Sequence, residues 1–194
     1  IDISNHQKNI DWESISKKES IYFAFIKATE GESYKDKYFK YNWEKSLKVG
    51  IYRGAYHYYI SSSTGENQAK NFIEVVPKES GSLPPVVDIE EDGLSVEEFD
   101  KELGNFNKIL EETYGQKPII YTVSNLYEKY IKGKYKDNPI WIRDIVKPPN
   151  NDKIEWQFWQ YSNRGHISGI DSYVDLNVFN GDENDFKTLI KIKE

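Results

Sequence analysis

Short apolar runs recur along the chain, separated by stretches whose apolar residues fall at helical spacing. The run Val86-Val87-Asp88-Ile89-Glu90 is the clearest strand. Its β-branched residues favour a pleated, buried surface, and Pro84-Pro85 before it breaks any helix and sets an extended approach. Ile21 to Ile26, Ile51 to Tyr59, Pro118 to Tyr121, Pro139 to Arg143, Glu155 to Tyr161 and Val174 to Val178 read as further strands, and Ile1 to Ser4 as a short alternating one. Between them, Asp11 to Ser16 predicts a helical turn. Asp36 to Val49 predicts a helix carrying Phe39, Trp43 and Leu47 on one face and stopped at Gly50. Glu66 to Val76 predicts a helix stopped by Pro77. Ser95 is an N-cap with Glu97 and Glu98 in the first turn of a helix that reaches Tyr114 and ends at Gly115. Asn125 to Ile131 reads as a short helix and Glu183 to Ile192 as a final one.

Strands alternating with helices predict βα units and a mostly parallel sheet. Counting from Asp2 gives about eight strands, and several connections in the C-terminal half lack a full helix. The expected fold is therefore α/β: an irregular TIM-like (β/α) barrel with helices missing or shortened in the C-terminal half, not an open doubly wound sheet. No GxGxxG or P-loop follows a strand, which argues against a nucleotide site. With no repeat and no linker, residues 1–194 read as a single domain, long enough to bury a real core.

Composition narrows the function. Charged residues are 30% and hydrophobic residues 38%, the balance of a soluble globular protein. A net charge of −6 argues against a nucleic-acid partner and against bulk attraction to an anionic surface. No run approaches the ~20 apolar residues of a membrane helix, so no membrane insertion is expected. Cysteine is absent, which excludes disulfides, thiolate nucleophiles and zinc–thiolate sites. Methionine is absent too and the chain begins at Ile1, so the expectation is a trimmed piece of a longer protein. With 15 Tyr and 5 Trp, the chain is rich in flat faces with polar tips that suit sugar rings.

Asp88 and Glu90 lie two apart on a strand and project to the same side. Burial and mutual repulsion should raise the pKa of one of them, which is how a protein keeps one carboxyl protonated and another ionised near neutrality. A TIM-like barrel gathers its site at the C-terminal strand ends. Those ends carry Asp2, Lys27 with Glu30, Tyr56 with His57, Asp88 with Glu90, Tyr121, Gln160 and Asp175. Four carboxylates in an aromatic cleft suit glycoside hydrolysis, which needs an acid for the leaving oxygen and a second group for the oxocarbenium-like state. A metal site built from these acids and His57 is the competing reading. The chain offers only His6, His57 and His166, with no HxH or HExxH spacing. Lys27 and Glu30 read as an ion pair at the barrel rim. His57 reads as a hydrogen-bonded structural residue, sharing the mouth with Tyr56 only if their strand is bulged.

Asp2-Ile3-Ser4 with His6-Gln7, Phe25 to Gly31, Gly54-Ala55-Tyr56-His57, Asp88-Ile89-Glu90, and Trp159-Gln160-Tyr161 with Asp175-Leu176-Asn177 resemble, in order, the motif series of glycoside hydrolase family 25. These are the muramidases (lysozymes) of phage endolysins and bacterial autolysins, and the likeness covers nearly the whole chain. It implies an incomplete β/α barrel that cleaves the β-1,4 bond between N-acetylmuramic acid and N-acetylglucosamine in peptidoglycan. Glu90 matches the general acid, Asp2, Asp88 and Asp175 match the other cleft acids, and Tyr56 lies in the matching aromatic motif. One departure is Arg143, after Trp141-Ile142, where the family often has a small residue. Two routes fit: direct attack by a carboxylate, or attack by the substrate's own N-acetyl oxygen while Asp88 or Asp175 holds its N–H. The DxE spacing favours the second. Asp2 would keep Asp175 or Asp88 in register. Tyr56, Tyr121, Trp141, Trp159 and Gln160 are the expected substrate-binding residues, and no metal or cofactor is expected. The expected partner is bacterial peptidoglycan, met outside the cell or on release from a host cytoplasm during phage lysis. A C-terminal wall-binding module, with self-association through it, completes the expectation. The alternatives are a carbohydrate-binding barrel with idle acids and a metal-dependent polysaccharide deacetylase.

Overall fold

A computed structural model describes residues 1–149 and 154–190. One sheet contains β1 (Asp2–Ile3), β2 (Phe23–Glu30), β3 (Tyr34–Lys35), β4 (Tyr52–Tyr58), β5 (Val86–Ile89), β6 (Ile119–Val123), β7 (Ile140–Arg143), β8 (Phe158–Gly165) and β9 (Val174–Phe179). β1 pairs with both β2 and β9, closing eight strands into a barrel, while β3 hangs on β2 as a hairpin outside the closure. Helices α1 (Trp12–Lys18), α2 (Phe39–Lys48), α3 (Gly65–Val75) and α4 (Val96–Tyr114) fill the first four crossovers of the barrel. The next crossover holds one turn, α5 (Ser124–Leu126), running into a π-helical turn at Tyr127–Ile131 in place of the expected short helix. A last helix, α6 (Glu183–Leu189), follows β9 and ends at the C-cap Ile190, short of the expected Ile192; positions 191 and 192 lie outside the described residues. Among the described residues no helix is long and apolar enough to cross a membrane.

Seven barrel strands run parallel and β9 runs against both its neighbours. The chain between Gly165 and Val174 is too short for a crossover, which needs about a dozen residues or more, so β9 folds back on β8. This corrects one expectation: Asp175 reaches the barrel mouth from the beginning of its strand, not from its C-terminal end.

Strand alternation splits the apolar residues into two cores. Phe23, Phe25, Val86, Ile119, Trp141 and Phe158 fill the barrel, closed below by Phe186 of α6. Ala24, Ile26, Val87, Ile89, Ile120 and Ile142 face outward against Phe72, Leu103, Phe106 and Leu110 of the helices. α4 carries the expected ends: a capping box between Ser95 and Glu98, and Gly115 left-handed at φ 74°. α2 begins at Phe39 rather than Asp36, because the buried Asp36 carboxylate accepts the Asn5 and Tyr38 backbone N–H groups, each at 2.8 Å. Leu47 lies off the buried face, exposed.

β2 carries a bulge between Lys27 and Thr29. On a regular strand, positions i and i+3 face opposite sides. The extra residue turns Thr29 outward and returns Glu30 to the Lys27 side.

Candidate active site

The parallel strands end in a cleft of about 340 Å³ whose walls carry Asp2, Asp88, Glu90 and Asp175. Asp2, on β1, is buried and stands opposite Asp175 of β9 in the antiparallel ladder. Its Oδ2 accepts the Gln160 amide at 3.0 Å and the Asn177 amide at 2.7 Å. Burial, the Asp2 charge and a hydrogen bond with Asp2 push the Asp175 carboxyl up to about 7.

β5 places Asp88 inside the barrel, 7% exposed, with its Oδ1 lacking a hydrogen-bond partner among the described residues. Burial above all, then the charges of Glu90 and Asp2, hold its carboxyl well above the usual range, against a downward pull from Lys27. Glu90 differs from the buried acid expected. It falls one residue beyond the strand, where the chain leaves the barrel, and is exposed at the rim. Desolvation by the cleft wall raises its pKa; Arg143 pulls it down and Asp2 pushes it up. Both acids of the DxE pair are raised rather than one, and the stronger push falls on Asp88.

Tyr56 lines the cleft, and burial with the nearby Asp2 and Asp88 charges keeps its phenol a neutral donor. β4 is not bulged, so His57 points away from the mouth. It is fully buried between Thr29 Oγ1, 2.7 Å from Nδ1, and Gln68 Oε1, 3.0 Å from Nε2. Gln68 Oε1 can only accept, so Nε2 carries the ring proton and Thr29 donates to Nδ1. Burial lowers the His57 pKa to about 4, so the ring is neutral. The metal reading thereby loses its imidazole, and among the described residues no group of three or more His, Cys, Asp or Glu side chains is arranged to hold an ion. The β2 bulge delivers the Lys27–Glu30 ion pair at 2.7 Å, as expected.

The expected substrate-binding residues divide. Tyr121, Trp141 and Gln160 reach the cleft floor, although each is buried. Trp159 does not reach it. It sits on the opposite face of β8, against Trp156, with its Nε1 donating to the Asp144 carbonyl at 2.8 Å. Two residues absent from the expected site belong to it. Asn177 binds Asp2, and Arg143 lines the cleft half-buried and acts on Glu90 and Asp175. Both were signalled by spacing: Asn177 lies two residues after Asp175, and Arg143 two after Trp141, hence on the same faces.

A family model for glycosyl hydrolases family 25 matches residues 1–170. The chain belongs to this family. The family-25 chain is 40% identical to YegX of Escherichia coli K12, over 100% of the chain and 74% of the relative. It is 33% identical to Lysozyme M1 of Streptomyces globisporus, over 93% of the chain and 67% of the relative. Its fold superposes on a family 25 glycosyl hydrolase from Bacillus anthracis with a TM-score of 0.92, at 41% identity, covering 98% of this chain and 92% of the other. The family-25 chain is a glycoside hydrolase of the muramidase (lysozyme) type, which displaces the idle-barrel and deacetylase alternatives.

Proposed function

We propose that this family-25 muramidase cleaves the β-1,4 bond between N-acetylmuramic acid and N-acetylglucosamine in bacterial peptidoglycan, with Glu90 as general acid and the substrate's N-acetyl group as nucleophile. The wall is its place of action, reached through sugar contacts in the cleft or through a separate wall-binding module.

The contrast between Asp88 and Glu90 carries the reading. Glu90 is open to a glycosidic oxygen at the rim, while Asp88 lies deeper, with one oxygen unsatisfied. A buried carboxyl short of a donor gains from any N–H that a substrate brings. An acetamide N–H bonded to Asp88 favours its charged form and leaves the proton of the crowded pair on Glu90, where it is needed.

In the first step the acetamide oxygen attacks the anomeric carbon as the glycosidic C–O bond breaks, and the Glu90 proton passes to the leaving oxygen. An oxazolinium ion remains, its positive charge facing the Asp2/Asp175 pair. In the second step water attacks the anomeric carbon from the side the leaving group vacated and gives its proton to the Glu90 carboxylate. The N-acetyl oxygen departs, so the configuration is retained. Tyr56 supplies a neutral hydroxyl to the acetamide oxygen or to an acid.

The test compares intact glycan with glycan stripped of its N-acetyl groups. The expected result is loss of turnover on the stripped glycan and no covalent sugar on the enzyme. A trapped glycosyl adduct on Asp88 or Asp175 would overturn the N-acetyl route.

A further inference from the structure

Two amides, the buried Gln160 and the half-buried Asn177, converge on one oxygen of Asp2, and each is turned that way by an aromatic donor behind it. An amide can present either N–H or C=O to a neighbour. Asn177 donates Nδ2–H to Asp2 Oδ2 at 2.7 Å because its own Oδ1 is held by the Trp141 indole N–H at 2.9 Å. Indole N–H can only donate, so a flipped Asn177 would face N–H to N–H. Gln160 donates Nε2–H to the same Oδ2 at 3.0 Å, and its Oε1 accepts the Tyr121 hydroxyl at 3.1 Å. Gln160 and Asn177 are ladder partners on β8 and β9. The two aromatics are committed to the interior. Trp141 is 2% exposed and stacks on Phe25 with ring centroids 4.4 Å apart, and Tyr121 meets it edge-on at 4.6 Å.

We propose that Trp141 and Tyr121 are positioning residues of the muramidase reaction, acting through Asn177 and Gln160 to aim two N–H groups at Asp2, so that Asp2 carries the charge and Asp175 the proton of their pair. The inference rests on the reading of these acids as the reaction centre. A flipped amide would set a carbonyl lone pair against the carboxylate and move the pair's proton toward Asp2. The other groups facing the pair are Asp88 from β5 and Glu90 just beyond it, Arg143 from β7, Tyr56 from β4, Lys27 from β2 and the amine of Ile1. None of them is a hydrogen-bond donor to Asp2 Oδ2 among the described residues.

The test uses Trp141→Phe, which removes one N–H and keeps a ring on Phe25, and Tyr121→Phe, which removes only an O–H. Two quantities are followed: 13C titration of the Asp2 and Asp175 carboxyls without substrate, and kcat and KM against pH on soluble glycan fragments. Losing a donor to a carboxylate raises the pH at which the pair sheds its first proton. Both variants should move that titration, and the acid limb of kcat, to higher pH. Each should lower kcat about tenfold, the rate equivalent of roughly 1.4 kcal/mol, with KM unchanged. Unmoved carboxyl titrations in both variants would overturn the relay, as would a raised KM with an unshifted kcat profile, the signature of a sugar platform. The carboxyl titration needs no turnover, so it reads the relay even if the proposed bond assignment fails. Should Trp141→Phe misfold, Tyr121→Phe alone decides.

Discussion

Asp175 faces Asp2 across the antiparallel β1–β9 ladder, and the charge and hydrogen bond of Asp2 help hold its carboxyl at about 7. Asp2→Asn removes the like charge, so the Asp175 transition should fall toward the ordinary carboxylate range, as read by 13C chemical shifts. A transition still near 7 in that variant would leave burial as its sole cause.

The same substitution ranks the acids. Glu90→Gln should cost ~10²-fold or more in turnover, because it removes the proton donor of the proposed mechanism, while its exposed position leaves folding intact. Asp2→Asn should slow the enzyme by less, because the proposed mechanism sets Asp2 beside the reacting bond and not on it. Equal rates for wild type and Asp2→Asn would reduce Asp2 to a fold residue.

Arg143 draws the Glu90 pKa down from the level that desolvation alone would set. An acid catalyst works while protonated, so the alkaline limb of kcat/KM follows Glu90. Arg143→Ala should therefore extend activity to higher pH. A profile moving to lower pH would contradict the assignment of that limb to Glu90.

His57 is neutral when folded, with burial lowering its pKa from 6.5, the value of a free imidazole, to about 4. Between those values the unfolded chain binds the extra proton, so the stability this residue allows falls as pH drops from 6.5 to 4. The full effect is about 3 kcal/mol, at 1.36 kcal/mol per pKa unit. Asp175, raised when folded, acts in the opposite sense over much of this range, losing stability as pH rises. The measurement is therefore a difference: urea stability of wild type minus His57→Gln should decline from pH 7 to pH 4. A flat difference would mean that the ring is already charged, or accessible, in the folded state.

Gly54 explains one of the sequence motifs by space alone. A Cβ there would stand 2.7 Å from the Phe25 ring and 3.1 Å from Leu83. Gly54→Ala should destabilise by about 1–3 kcal/mol through overpacking, read from the urea midpoint. No shift would mean that the Phe25 ring moves aside freely.

Local chemistry was legible where one segment decided the outcome. The ends of α4 followed from Ser95 and Gly115, and the inward projection of Asp88 and Glu90 from the period of β5. Features set by closure were not. The direction of β9 depends on how its connection compares with a crossover. The exposure of Glu90 depends on where β5 leaves the barrel. The Lys27–Glu30 pair was legible, but the β2 bulge that makes it possible was not, because no residue of Lys27-Ala28-Thr29 signals an extra position. Trp159 and Gln160 were both assigned to the cleft although neighbours on a strand face opposite sides; alternation alone would have separated them. Asn177 was in view within its motif, but its role appears only when β8, β9 and β1 are side by side.

The central claim is that Glu90 drives cleavage after muramic acid. Its most direct test is digestion of purified peptidoglycan, borohydride reduction and mass spectrometry of the released fragments, run for wild type and Glu90→Gln together. The account predicts soluble fragments ending in reduced N-acetylmuramic acid from the wild type and almost none from the variant. Reduced glucosamine ends, or wild-type release by Glu90→Gln, would contradict it.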